Sequence, residues 1–218
     1  MAVELYDEHE QGERVRSWIR EYGYSIVIGL GLAFAGIFGF NQWQQHQVGQ
    51  KLLAAEYFDR IQVELDLGSV STAAERLEAM REETRHSAFI GLASLLVAAA
   101  HVEDGSLEPA ARLYREVLAD RRLSALWPTT TLRLARVLEA QGDITGAMRL
   151  LDGTVPSGFE GAWAELRGDL HLARGERELA AAAFQQALEY QSGQGVSEFM
   201  LQMKLDATGV VLDNGASS

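Results

Sequence analysis

The chain has 218 residues, no cysteine and a formal charge of −12, from 31 acidic and 19 basic residues. Without cysteine it has no disulfide, no thiolate zinc site and no cysteine nucleophile. An acidic chain with no compensating basic stripe is a poor match for nucleic-acid phosphates. Hydrophobic residues make up 47% and charged residues 23%, enough to bury a core. Scarce proline (Pro109, Pro128 and Pro156) and abundant alanine point to helix.

Residues 1–23 are charged and mixed in sign. Val15, Trp18, Ile19 and Tyr22 fall at i, i+3, i+4 and i+7, which predicts a short amphipathic helix over residues 13–22. Trp18 and Tyr22 also suit the headgroup level of a membrane. Residues 22–50 then contain no Asp, Glu, Lys or Arg. The most apolar part, residues 24–40, would be about 26 Å long as a helix, at the short end of a membrane span.

Four readings of this run compete. A dinucleotide loop needs G-x-G-x-x-G between a strand and a helix, but Gly29, Gly31 and Gly36 have other spacing and no βαβ unit follows. A cleavable signal needs a basic leader and a small-x-small site. Here six acids face three arginines before the run, and "NQWQQHQ" follows it. A buried soluble helix would show a polar face, and none exists. An uncleaved transmembrane anchor over residues 24–43 fits best, with Tyr24 and Trp43 at its two interfaces.

Gly31, Ala35 and Gly39 repeat at i, i+4 and i+8. They form a small-residue face that a partner helix backbone could approach closely; glycine is also simply common in membrane helices, and both readings stand. Arg14, Arg16 and Arg20 flank the N-terminal side against Lys51 on the other. The positive-inside rule therefore predicts residues 1–23 in the cytoplasm. The rest of the chain from residue 44 would lie outside it, in the periplasm of a Gram-negative cell.

Beyond residue 50 the chain repeats itself. Glycine recurs at Gly68, Gly105, Gly142 and Gly175, at spacings of 37, 37 and 33. Five residues after each stands alanine (Ala73, Ala110, Ala147, Ala180), and nine after each a large apolar residue (Leu77, Tyr114, Leu151, Phe184). This is the pattern of a tetratricopeptide (TPR) helix pair. Glycine lets the chain leave the first helix with positive φ. Alanine sits where the two helices cross, and the large residue fills the space to the next repeat. The predicted fold is all-α: one N-terminal transmembrane helix, then a TPR-like helix-pair solenoid of about four repeats over residues 44–212. Its first helices should cover about 52–66, 88–103, 127–141 and 160–174. A capping helix follows at about 197–212, with Ser197 as N-cap and Met200, Leu201 and Met203 among its apolar residues. Residues 213–218 should form a disordered tail.

No catalytic, cofactor or metal motif appears. His9, His46, His86, His101 and His171 have no metal-ligand spacing, and the last two stand four residues before a turn glycine, where a histidine suits the helix dipole. Glu75, Glu78, Glu82 and Glu83 with Arg76, Arg81 and Arg85 look like a solvated face. Leu95, Leu132, Arg133 and Arg136 are the candidate partner-binding groove. The two arginines either meet acidic partner groups there or form ordinary surface ion pairs.

Several segments in order carry a resemblance: "ELYDEHEQ" at the start, "W-x-x-H-Q-V" after the anchor, "LRLARV", "AELRGDLHLARG" and "SEFMLQMKL". Together they resemble the YfgM family, the ancillary subunit of the Sec translocon of Gram-negative bacteria, over nearly the whole chain. The tail after Leu205 is longer than that family's usual ending. The resemblance implies a single-pass inner-membrane protein with a periplasmic TPR domain. It implies association with the SecYEG channel and with a membrane-anchored periplasmic chaperone of the prolyl isomerase type, to which exported chains are passed. The residues alone support a tethered, non-catalytic protein-binding solenoid. A TPR scaffold of another cell-envelope assembly machine remains the alternative.

Overall fold

The computed structural model describes residues 4–84, 87–191 and 196–210. The chain divides into two units, Met1–Leu52 and Leu53–Ser218. A single helix, α1 (Glu4–Asp66), is unbroken over 63 residues. The sequence had suggested separate helices at 13–22, 24–43 and 52–66. No proline interrupts them, and an isolated glycine costs a helix only about 1 kcal/mol, too little to break it.

The second unit continues through α2 (Val70–Glu83), α3 (Ser87–Glu103), α4 (Leu107–Ala119), a 3-10 helix (Arg121–Leu126), α5 (Trp127–Ala140), α6 (Ile144–Leu151), α7 (Glu160–Ala173), α8 (Arg177–Gln191) and α9 (Val196–Ala207). Consecutive helices from α2 to α9 pack against one another in chain order, and α5 also meets α7. This is the neighbour-to-neighbour packing of a helix-pair solenoid.

The hinges between paired helices share one hydrogen-bond pattern. Gly68, Gly105, Gly142 and Gly175 have φ of 73°, 79°, 83° and 76°. At each, the glycine N–H donates to the carbonyl three residues back, Leu65, Val102, Glu139 or Leu172. The next N–H donates five residues back: Ser69 to Glu64, Ser106 to His101, Asp143 to Leu138 and Glu176 to His171, at 2.8–2.9 Å. This is the Schellman ending, which satisfies carbonyls the helix would otherwise leave open. Asp143 then caps α6 by accepting the Gly146 N–H at 2.8 Å. The other end of α6 is capped from α7, where the Arg167 guanidinium donates to the Leu151 carbonyl.

Ala73, Ala110, Ala147 and Ala180 are wholly buried. Leu77, Tyr114, Leu151 and Phe184 are buried beside them. The core falls into two clusters. The larger runs from Ala54 through Leu170. The smaller joins Ala164, Ala180, Phe184, Ala187 and Leu201, from α7, α8 and α9. Phe184 lies so close to α7 that a Cβ on Gly168 would meet its ring at 2.5 Å.

The last helix starts at Val196, one residue before the expected Ser197 cap, and stops at Ala207. Gly209, with φ of 70°, follows it; it stands 34 residues after Gly175. Leu201 is buried, while Phe199, Met200 and Met203 are exposed. The expected tail at 213–218 lies outside the described residues, as do Arg85 and His86.

Candidate protein-binding surface

The four residues expected in a groove separate. Leu95 and Leu132 belong to the core, at 7% and 6% exposed. They sit on the inward side of α3 and α5, where alternating turns of a first helix face its partner. Arg133 and Arg136 are exposed one turn apart on α5. Both line an open cleft of about 320 Å³. Its other walls are Ala99, Val102 and Glu103 of α3, Leu107 and Tyr114 of α4, and Val137 and Ala140 of α5.

Tyr114 is the large residue of its repeat, and its ring is core. Burial pushes its hydroxyl pKa up, and the charge and hydrogen bond of Arg133 pull against that. The hydroxyl thus anchors one face of the Arg133 guanidinium at the cleft wall. A guanidinium carries five N–H donors, so most of its hydrogen-bonding capacity stays available.

Next to this cleft lies a charge network that joins α5, α7 and α9. The Lys204 ammonium meets Glu165 and Asp169 at 2.8 Å each and sits 5.8 Å from the Phe184 ring centroid. Burial pushes the Asp169 carboxyl up, and its contact with Lys204 opposes the shift. Glu139 is also pushed up, first by burial and then by the charge of Asp169. The two carboxylates more than offset the burial of Lys204, whose pKa rises. Sequence reasoning had passed over all three partners. The available signal was Lys204 itself, one of two lysines in an acidic chain, and the i, i+4 spacing of Glu165 and Asp169.

Glu75, Glu78, Glu82 and Glu83 of α2 are exposed, as a solvated face requires, whereas Arg76 and Arg81 are half-buried. Arg76 reaches back to Glu64 of α1 at 2.7 Å. Arg81 spans from Glu78 to Glu116 of α4 at 2.7 Å and to the Ser94 hydroxyl of α3 at 3.1 Å. Both arginines tie neighbouring helices together. His171 pairs through Nδ1 with Glu176 at 2.6 Å across its own turn. Burial pushes His101 down, and its Nδ1 is buried with no partner among the described residues. No group of three His, Asp or Glu among the described residues is placed to hold a metal.

Gly31, Ala35 and Gly39 lie on the exposed part of α1, where a Cβ added at either glycine would meet nothing within 4 Å. Among the described residues, α1 is the one helix long and apolar enough to cross a membrane.

These features define a helix-pair repeat protein with a membrane-length apolar helix and a surface built of clefts and charge pairs. The chain belongs to the tetratricopeptide repeat-like domain family, whose model matches residues 16–210. It is similar to the ancillary SecYEG translocon subunit of Escherichia coli, at 29% identity over 94% of this chain and 98% of that protein. It is similar also to the proteins of that name from Haemophilus influenzae and Aggregatibacter actinomycetemcomitans, at 27% and 25% identity over 94% of this chain and 99% of each.

Proposed function

We propose that the protein is a membrane-tethered adaptor at the Sec translocon. The observation that carries this is the extent of the similarity. It covers 94% of this chain and 98–99% of three translocon subunits, so it takes in the apolar helix and the repeats together. The role is non-enzymatic: the relatives are named as ancillary subunits, and no catalytic constellation stands in the sequence.

In the finer reading, residues 24–43 cross the inner membrane once, residues 1–23 face the cytoplasm and residues 44–212 form a periplasmic TPR-like domain. The arginines flanking the apolar run support that orientation. Gly31, Ala35 and Gly39 pack on a partner span. The repeat surface at Arg133 and Arg136 meets a periplasmic chaperone of the membrane-anchored prolyl isomerase type, so that emerging chains pass from the channel to folding factors.

The test is purification of the intact protein from membranes in mild detergent, with identification of what comes with it. Channel subunits and a periplasmic isomerase are the expected companions. Recovery of a different envelope assembly machine in their place would favour a scaffold in that machine. Protease added to spheroplasts should degrade residues 44–212, and protection of that region would reverse the topology.

A further inference from the structure

The charge-free run of α1 is longer than a bilayer requires. Residues 22–50 contain no Asp, Glu, Lys or Arg. As helix they extend about 43 Å at ~1.5 Å per residue, against about 30 Å for the hydrocarbon of a bilayer. The apolar anchor explains the first part of that run and not the last. Residues 41–50 are rich in amides, with Asn41 followed by five glutamines, and still carry no charge. Val48 and Leu52 stand about 8 and 14 Å beyond Trp43 along the helix. Both are exposed, at 48% and 67%.

A second regularity runs through the same stretch. Val27, Gly31, Phe34 and Phe38, and then Asn41, Gln45, Val48 and Leu52, alternate at spacings of four and three. That is the heptad seam of a left-handed coiled coil, and all of it is exposed. On the same spacing the flanking charges are Arg20 and Asp59, which bound the seam. The surface of α1 also has the shape that such a seam needs. A hollow of about 450 Å³ is lined by Asn41, Gln44, Gln45, Val48, Gly49 and Leu52. These six make two overlapping four-residue holes, one at 41, 44, 45 and 48 and one at 45, 48, 49 and 52. In a parallel, in-register pair of helices, those holes receive the side chains at positions 45 and 48 of the facing helix. Gly49 has no side chain to fill the second hole, and a Cβ there would meet nothing within 4 Å.

We propose that α1 pairs with α1 of a second copy of this chain, parallel and in register, along the seam from Val27 to Leu52. Two features select a second copy over an unrelated helix. The membrane crossing proposed above gives every copy the same direction, so each seam residue meets its own counterpart. A charged seam residue would then face its like, and the seam has none, although the chain carries a formal charge of −12. A carboxamide, by contrast, both donates and accepts. Asn41 therefore bonds to Asn41 and Gln45 to Gln45, and such paired polar groups fix register. Asn41 stands within the anchor at residues 24–43, where a hydrogen bond between helices satisfies a polar group that lipid cannot. Ala35 and Gly39 lie about a quarter to a third of a turn from the seam and stay free for a partner span. The inference rests on the membrane crossing and not on the translocon.

The absence of cysteine lets single cysteines map the contact in the full chain. In membranes treated with copper phenanthroline, Asn41→Cys and Val48→Cys should form disulfide dimers at least about tenfold faster than Gln47→Cys on the opposite side of the helix, because the bridge needs Cβ atoms about 3.5–4.5 Å apart. Wild type in mild detergent should sediment as two copies. Val48→Asp sets two carboxylates against each other and should weaken the dimer at least about tenfold. Circular dichroism should show the repeats of that variant melting as in wild type, since Val48 is exposed. Equal cross-linking at positions 41, 47 and 48, a wild-type mass of one copy, or a dimer indifferent to Val48→Asp would overturn the proposal. A wild-type particle holding one copy bound to a different membrane protein would overturn it in favour of a partner span. Failure to bring down channel subunits bears on the adaptor role alone. A reversed topology bears on which side the repeats face, because copies inserted in either direction are still parallel.

Discussion

Two apolar stretches in this chain are built of nearly the same residues and end differently. "SIVIGLGLAFAGIFGF" lies on α1 and "SAFIGLASLLVAAAHVE" is α3. From residue 27 to residue 40 every side chain of α1 is exposed. In α3, Ala93, Leu95, Val97 and Ala98 are buried between α2 and α4. The buried Ser94 hydroxyl donates to the Ile90 carbonyl at 2.8 Å and accepts from Arg81 at 3.1 Å. Apolar content therefore does not decide where a helix goes. What differs is the length of the charge-free run and whether neighbouring helices offer a surface. The exposed run of α1 is of membrane length, and a bilayer is the surrounding that suits it.

Breaking the core side of this comparison should have the largest effect. Phe184→Ala removes a wholly buried ring from the smaller core cluster and should cost about 3–5 kcal/mol. Chemical denaturation of the detergent-solubilised protein measures it; a loss under about 1 kcal/mol would mean that the α7–α9 packing is wrong. Breaking the other side comes next. Phe34→Arg places a charge in the middle of the exposed run and should cost about 2.5–3.5 kcal/mol of membrane insertion. Alkaline extraction should release a larger soluble fraction, while the melting of the repeats stays as it was. If the variant remains fully membrane-embedded, the anchor reading fails.

A matched pair of glycine substitutions sharpens the contrast. Gly168→Ala drives a methyl into the Phe184 ring and should destabilise by about 1–3 kcal/mol. Gly36→Ala, on the exposed run, meets nothing within 4 Å and should gain about 1 kcal/mol of helix propensity. Equal effects at the two sites would erase the distinction between them. The smallest effect is one of pH. Asp169 has its carboxyl pushed up by burial, so it binds its proton more readily folded than unfolded. Its contribution to stability is present below the ordinary carboxylate range and lost as pH rises through the folded value. The stability of wild type relative to Asp169→Asn should therefore fall as pH rises across that window. A flat difference would show that Lys204 cancels the burial.

The all-α character and the helix-pair repeat could be read directly, because both are written in local spacing. Glycine, alanine and a large residue at fixed offsets need no knowledge of which helices touch. The continuity of α1 could not be read this way, since clustered glycines look like breaks when each costs little. The burial of Leu95 and Leu132 was hidden too: a first helix of a repeat has both an inward and a groove side, and composition does not separate them. Arg133 and Arg136 stood out as charges among apolar residues. Lys204 with Glu165 and Asp169 left only a rare lysine and an i, i+4 pair of acids as a trace, because the contact joins residues 39 and 35 apart. Gly209 was overlooked because Asn214 occupies the place where the other turns have alanine.

The division of the core into two clusters has a consequence for how the molecule opens. The helices α8 and α9 close over their own small set of side chains, and one lysine supplies the polar tie from α9 to α7. That end is expected to open as a unit of its own. Its amides should exchange with solvent together, at a lower free energy than those of α3 to α5, so the array loosens from one end while its middle stays closed.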